Sequence, residues 1–238
     1  MFIISEIFPQ HSGSLGTAEQ MILQSKMAGA DAVKVQLYTA TQFGADRAYL
    51  ELDYEGLKRL KNYADQVGIE LFATPFTEEK LDWCMDLKLP YLKVAARMHE
   101  EMPELVSRIM EKNVPTFVSV PEDYNTDNLK IHDHATYLYC ILKYPTRLDE
   151  VSMPDFENSI FDGISDHTLG NAAALYASAH GATHMEKHFT LRKSFQYKTE
   201  KAHLGSMTAD ELADLKNTTR EFEILRDAIR ENNPVKRA

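Results

Sequence analysis

Eight short runs rich in β-branched and aromatic residues recur along the chain: Phe2–Ile7, Ala32–Tyr38, Ile69–Thr74, Tyr91–Ala95, Thr116–Val120, Tyr137–Leu142, Phe161–Ser165 and His184–Phe189. Most of the gaps between them carry apolar residues at helical spacing. Thr17–Ala28 has Met21, Ile22 and Met27, and Tyr54–Val67 has Leu57, Leu60 and Ala64. Glu79–Leu87, Met102–Glu111, Asn171–Ala179 and Asp210–Ile229 repeat the pattern, with Pro103 and Thr208 as helix-start residues. Gly29, Gly68 and Gly181 each follow a helical run, where a left-handed residue closes the helix. Pro121–His134 and Tyr144–Ser159 are too polar or too rich in proline to read as helices. A strand followed by a helix returns the chain to the end where the strand began, so such an alternation builds a parallel sheet.

Eight such units in 238 residues suit a closed (β/α)₈ TIM barrel of the α/β class, since these barrels run to roughly 250 residues. A doubly wound open sheet is the alternative, but no G-x-G-x-x-G turn follows the first run. No long linker, low-complexity tract or shift of composition divides the chain, so residues 1–238 are expected to form one domain.

Charge narrows the partners. The 26 Lys+Arg against 36 Asp+Glu leave a net charge of −10, which repels nucleic acid and anionic membrane surfaces. No apolar run approaches the ~20 residues of a membrane span, and Glu6 interrupts the apolar start too early for a signal peptide. Cys84 and Cys140 sit in apolar runs and read as buried free thiols rather than a disulfide framework. A soluble protein of the reducing cytoplasm is expected.

In a parallel barrel the reactive groups gather at the C-terminal strand ends, and polar residues stand there in this sequence. Glu6 closes the first run; Lys34 and Gln36 lie two apart on the second and share a face. Thr74 closes the third, Lys93 lies in the fourth, and Ser119 lies near the end of the fifth. Ser165-Asp166-His167 closes the seventh, and Glu186-Lys187-His188 puts Glu186 and His188 on one face of the eighth with Lys187 on the other. Lysines inside strands of valine and alanine need anionic partners. Two of them in an acidic chain mark a local positive pocket, with Thr74, Ser119 and Ser165 as neutral donors to a phosphate or carboxylate. His167 and His188 end consecutive strands and so become neighbours at one rim. Two imidazoles beside a carboxylate suit a divalent cation acting as Lewis acid; the pattern alone equally fits two hydrogen-bonded core histidines. His132 and His134, in the polar loop, and His184, at a strand start, read as non-catalytic.

The ordered segments Glu6…His11-Ser12-Gly13, Gly29 through Gln36, Ala73-Thr74-Pro75-Phe76, Lys93-Val94-Ala95, Tyr144-Pro145, Gly163 through Gly170 and Glu186-Lys187-His188-Phe189-Thr190 resemble the N-acetylneuraminate (sialic acid) synthase family. The resemblance runs from about residue 3 to about residue 220. It implies a phosphoenolpyruvate-dependent carbon–carbon condensation in a (β/α)₈ barrel. The enol carbon attacks the open-chain aldehyde of a hexosamine-type sugar, water adds, and phosphate leaves a nine-carbon 2-keto acid. By the same resemblance His167 and His188 hold a divalent cation, Mn²⁺ or Mg²⁺. Lys34, Gln36, Thr74, Lys93, Ser119 and Ser165 hold phosphoenolpyruvate, while Glu6, Tyr144 and Glu186 serve the sugar or move protons.

Departures from the family are also legible. A serine that reaches the phosphate is replaced by Ala96, followed by Arg97, which is expected to take over that contact. A polar residue two before the tyrosine–proline pair is Leu142, and the Asp-His of relatives becomes Ala202-His203. Relatives carry a C-terminal antifreeze-like domain, which a chain ending at Ala238 is expected to lack; a homodimer through the barrel is compatible with the resemblance. Two other functions fit the residues: a metal-dependent lyase, aldolase or isomerase that does not use phosphoenolpyruvate, and a non-catalytic barrel acting as a regulatory or assembly partner.

Overall fold

Hydrogen-bonding between successive β-branched runs closes eight parallel strands into a barrel in simple chain order, β1 to β8, with β8 pairing back on β1. This architecture comes from a computed structural model that describes residues 1–195 and 204–232. The strands are β1 Phe2–Glu6, β2 Ala32–Leu37, β3 Glu70–Pro75, β4 Leu92–Val94, β5 Thr116–Pro121, β6 Ala135–Cys140, β7 Gly163–Asp166 and β8 His184–His188. The helices are α1 Leu15–Met27, α2 Ala40–Phe43, α3 Tyr54–Val67, α4 Glu78–Asp86, α5 Met98–Glu101, α6 Pro103–Glu111, α7 Ala172–Ala179 and α8 Ala209–Asn232. The short turns α2 and α5 were not foreseen from periodicity, which needs more than one turn to register. The two polar connections contain only single 3₁₀ turns, Thr126–Asn128 and Leu148–Glu150.

Local chemistry accounts for the helix ends. Ser14, Asp53 and Thr77 cap α1, α3 and α4 by accepting from backbone amides inside the first turn. Gly68 closes α3 at φ +74°, a conformation that a Cβ disfavours.

Alternation along the strands separates two interiors. Outward-facing Ile3, Val33, Val35, Leu71 and Val94 pack beneath the helices. Inside, Ile4, Ala32, Phe72, Phe117 and Leu138 fill the lower barrel, joined by Phe2 and Tyr91. Two residues further along those same strands stand Glu6, Lys34, Thr74, Ser119 and Cys140, all buried. Period two therefore puts an aromatic plug at the N-terminal end and a polar layer directly above it. The barrel closes tightly between β7 and β8: a Cβ at Gly163 would lie 1.8 Å from the His184 carbonyl oxygen.

The sixth strand corrects the sequence reading. It spans Ala135–Cys140, not Tyr137–Leu142. Its foot is hydrogen-bonded into the sheet through Thr116 N–H to His134 O. Ile141 leaves the ladder at the other end, and its carbonyl turns to the His167 ring. Leu142 is consequently a half-exposed residue at the barrel mouth. Similarly, β7 ends at Asp166, one residue beyond the expected Ser165. Among the described residues no helix is long and apolar enough to cross a membrane.

Candidate active site

A cavity of about 390 Å³ opens at the C-terminal ends of the strands. Lys34, Gln36, Lys93, Arg97, Ser119, Tyr144, Ser165, His167, Glu186 and His188 all line it, so ten of the twelve residues singled out from sequence converge on one space. Glu6 and Thr74 do not line it. Glu6 lies one bond behind, accepting from Gln36 Nε2 at 3.2 Å and pairing with Lys34 at 2.7 Å. The Thr74 hydroxyl is buried without a hydrogen-bond partner among the described residues. Ala202 and His203 lie outside the described residues.

The floor is a charge cluster. Lys34 Nζ sits between Glu6 Oε2 at 2.7 Å and Glu186 Oε1 at 2.8 Å, all three side chains almost fully buried. Burial alone would push the Lys34 ammonium down, but the two carboxylates reverse this and hold it above the ordinary lysine range. The carboxylates are driven apart. Burial raises Glu6, against the pull of Lys34, whereas Lys34 and Lys93 together outweigh burial at Glu186 and lower it. Glu186 is thus the firmly ionised member. Lys93 donates to Ser119 Oγ and to the Val94 carbonyl, and burial pushes its ammonium down to about 8. Two carboxylates and two ammoniums cancel, leaving the floor close to neutral.

Above the floor the two histidines face one another, ring centroids 6.2 Å apart. His167 Nδ1 lies 2.8 Å from the Ile141 carbonyl, which accepts a hydrogen bond from Nδ1–H and so leaves Nε2 as the lone-pair nitrogen. Burial lowers His167 to about 4, so the ring is neutral at physiological pH. His188 Nδ1 stands 3.4 Å from Gln10 Oε1. Tyr144 stacks on His167 with centroids 3.9 Å apart. Among the described residues no three His, Cys, Asp or Glu gather at metal-binding distances. The donor set is therefore the neutral His167 ring with Nε2 free of its proton and the His188 ring facing it, with Glu186 Oε2 buried and without a hydrogen-bond partner nearby. That set fits a divalent ion whose other positions are completed by substrate and water.

Arg97 occupies the rim. Its guanidinium donates to the Tyr38 hydroxyl and lies 5.5 Å and 5.4 Å from the Tyr38 and Phe76 ring centroids. Those rings are themselves stacked at 3.9 Å and 8°. The aromatic platform holds the guanidinium in one place. Sequence reasoning found Arg97 but not its platform, nor Gln10, whose pairing with β8 has no sequence signal. Cys140 also lines the cavity, but burial raises its thiol to about 12, which leaves it unreactive.

A family model described as the NeuB family matches residues 45–230. An uncharacterized protein of Methanocaldococcus jannaschii is 31% identical over 82% of this chain and 64% of its own length. The N,N'-diacetyllegionaminic acid synthase of Legionella pneumophila is 28% identical over 93% of this chain and 72% of its own. The chain thus spans roughly two thirds of the length of these relatives. A solved N-acetylneuraminic acid (sialic acid) synthetase from Leptospira borgpetersenii, in complex with citrate, shares the fold. It superposes with a TM-score of 0.83 at 23% identity, covering 100% of this chain and 93% of that one.

Proposed function

The chain belongs to the NeuB family, and we propose that it condenses phosphoenolpyruvate with the open-chain aldehyde of a sugar. The enol carbon bonds to the aldehyde carbon, and the aldehyde oxygen takes up a proton. Water adds at the carbon that carries the phosphate, whose bond to the phosphate oxygen breaks as the water loses a proton. The products are a 2-keto acid and inorganic phosphate.

The observation that carries this reading is the polar layer itself: Lys34, Lys93 and Glu186 around one cavity, with Arg97 and two imidazoles above. Because the floor charges cancel, a multiply charged anion must find its counter-charge at the rim, and Arg97 supplies it. Lys93 and Ser119 meet the anion from below; Ser165 and Gln36 add neutral donors. Glu186 is the ionised carboxylate that accepts the proton of the attacking water. Glu6 acts from behind, fixing Lys34 and Gln36. Tyr144 and Leu142 shape the acceptor side.

A divalent cation, Mn²⁺ or Mg²⁺, held by His167 and His188 would polarise the acceptor carbonyl. The test is phosphate release from phosphoenolpyruvate and Mn²⁺ against a panel of aldoses and N-acyl hexosamines. Acceptor-dependent release is the expected result. No release with any acceptor, together with no phosphoenolpyruvate binding by calorimetry, overturns the reading.

A further inference from the structure

Behind the histidines, on the outer face of the barrel, lies an ion pair that the chemistry above does not use. Lys187 Nζ is 2.7 Å from Asp166 Oδ2, and both side chains are 1% exposed. Burying two charges costs several kcal/mol per ion before their attraction is counted, and a pair of apolar side chains fills such a space without that cost. Its connections show what it does here. Lys187 also donates to the Thr168 carbonyl at 2.7 Å, and Asp166 Oδ1 accepts from the Thr168 amide at 2.8 Å. The three residues form a closed triangle, and the residue it encloses is His167.

His167 follows the last residue of β7, so no strand ladder fixes it; the triangle does. Lys187 directly precedes His188 on β8, so the same pair ties the peptide after one histidine to the residue before the other. Two further contacts hold the bend. The His167 carbonyl accepts from Thr146 N–H at 3.0 Å. Gly205 packs its backbone against the loop so closely that a Cβ would lie 2.5 Å from the Thr168 carbonyl oxygen.

We infer that the Asp166–Lys187 pair is a positioning device that sets the separation and orientation of His167 and His188. The inference rests on the reading of those histidines as ligands of a divalent ion. A buried lysine elsewhere, paired with the partly exposed Glu51, provides the control. Lys80 is 2% exposed and donates to Glu51 at 3.2 Å and to the Leu52 carbonyl at 3.1 Å, a carboxylate and a backbone carbonyl as at Lys187. It does not line the cavity.

The experiment measures binding of Mn²⁺ alone, by electron paramagnetic resonance of the free ion, with no substrate present. Lys187→Met and Asp166→Asn are expected to weaken Mn²⁺ about 10–100-fold, the range for residues that orient metal ligands. Lys80→Met is expected to lower the melting temperature while leaving Mn²⁺ affinity within about twofold. Should Lys187→Met fail to fold, the milder Asp166→Asn decides. If the unaltered protein binds Mn²⁺ and both variants bind it equally well, the positioning role is overturned and the metal reading stands. If Lys80→Met weakens Mn²⁺ as much as they do, the loss reflects general destabilisation and the positioning role is likewise overturned. If the unaltered protein takes up no Mn²⁺, the metal reading falls and the positioning role falls with it.

Discussion

Lys93 holds its ammonium 3.9 Å from Glu186 Oε2, too far for a hydrogen bond and close enough for attraction. That spacing leaves burial as the larger influence on Lys93, and its proton is lost near pH 8 rather than in the ordinary lysine range. An anion bound against Lys93 needs the protonated form. Phosphoenolpyruvate affinity is therefore expected to stay level from pH 7 to 8 and then to fall, by up to tenfold per pH unit, where the phosphate itself is already fully ionised. The folding contribution has the opposite slope. With the folded value depressed below the unfolded one, burying Lys93 costs stability below pH 8, and the cost fades as pH rises toward 10.5. Calorimetric titration across pH 7–9.5 checks the binding limb, and Lys93→Met should abolish the fall. A level profile in the unaltered protein refutes the assignment.

Arg97 is a cation at the rim of the charge-neutral floor, where Arg47 also lines the cavity. Its removal deletes a charge-assisted hydrogen bond worth about 1.5–3 kcal/mol, so Arg97→Ala should weaken phosphoenolpyruvate about 10–100-fold. Arg97→Lys should recover little, because an ammonium has no planar fork to lie on the Tyr38–Phe76 platform. Tyr38→Phe, which removes only the hydroxyl bonded to Arg97, should cost less than either. Unchanged affinity in Arg97→Ala shows that the anion is held elsewhere.

Lys34 is bonded to both buried carboxylates of the floor. Lys34→Met leaves Glu6 and Glu186 buried without it, and loss of one partner from such a cluster costs roughly 3–5 kcal/mol. Both carboxyl groups then titrate above their unfolded values, so the folded state holds more protons and its stability falls as pH rises. Urea denaturation should show a deficit that is larger at pH 8 than at pH 5. A deficit independent of pH would mean that lost packing, not stranded charge, dominates.

Much of this site was legible because a strand alternates. Once Lys34, Lys93 and Glu186 are placed on strands, period two fixes which side chains share the barrel interior, and it sends Lys187 to the other face. What alternation does not fix is depth and cross-chain pairing. Glu6 and Thr74 sit on the right strands yet stop short of the cavity, one behind Lys34 and the other closed in. The Tyr38–Phe76 platform joins residues from the ends of β2 and β3, and the Asp166–Lys187 pair depends on the β7–β8 register. Neither is encoded by spacing along the chain. The exit of Ile141 from β6 was hidden for a related reason: Ile141-Leu142 is apolar enough to extend a strand, and only the His167 ring shows why its carbonyl turns away.

His167 and His188 remain open to two readings from sequence, ion ligands or hydrogen-bonded core rings, and the two predict different losses. As core rings they contribute packing and single hydrogen bonds, so replacement with Ala should lower stability and leave Mn²⁺ uptake unchanged. As ligands they form most of the protein's share of the site, since no third ligating side chain stands within reach among the described residues. Each single replacement should then remove one of the two imidazole donors and reduce Mn²⁺ binding and phosphate release together. His167→Ala should also free the Ile141 carbonyl and unstack Tyr144, whereas His188→Ala leaves both contacts in place. The stability cost should accordingly be larger at His167 while the loss of Mn²⁺ is similar at the two positions. Electron paramagnetic resonance and thermal denaturation on the same samples separate the readings, and full Mn²⁺ stoichiometry retained in both variants refutes the ligand assignment.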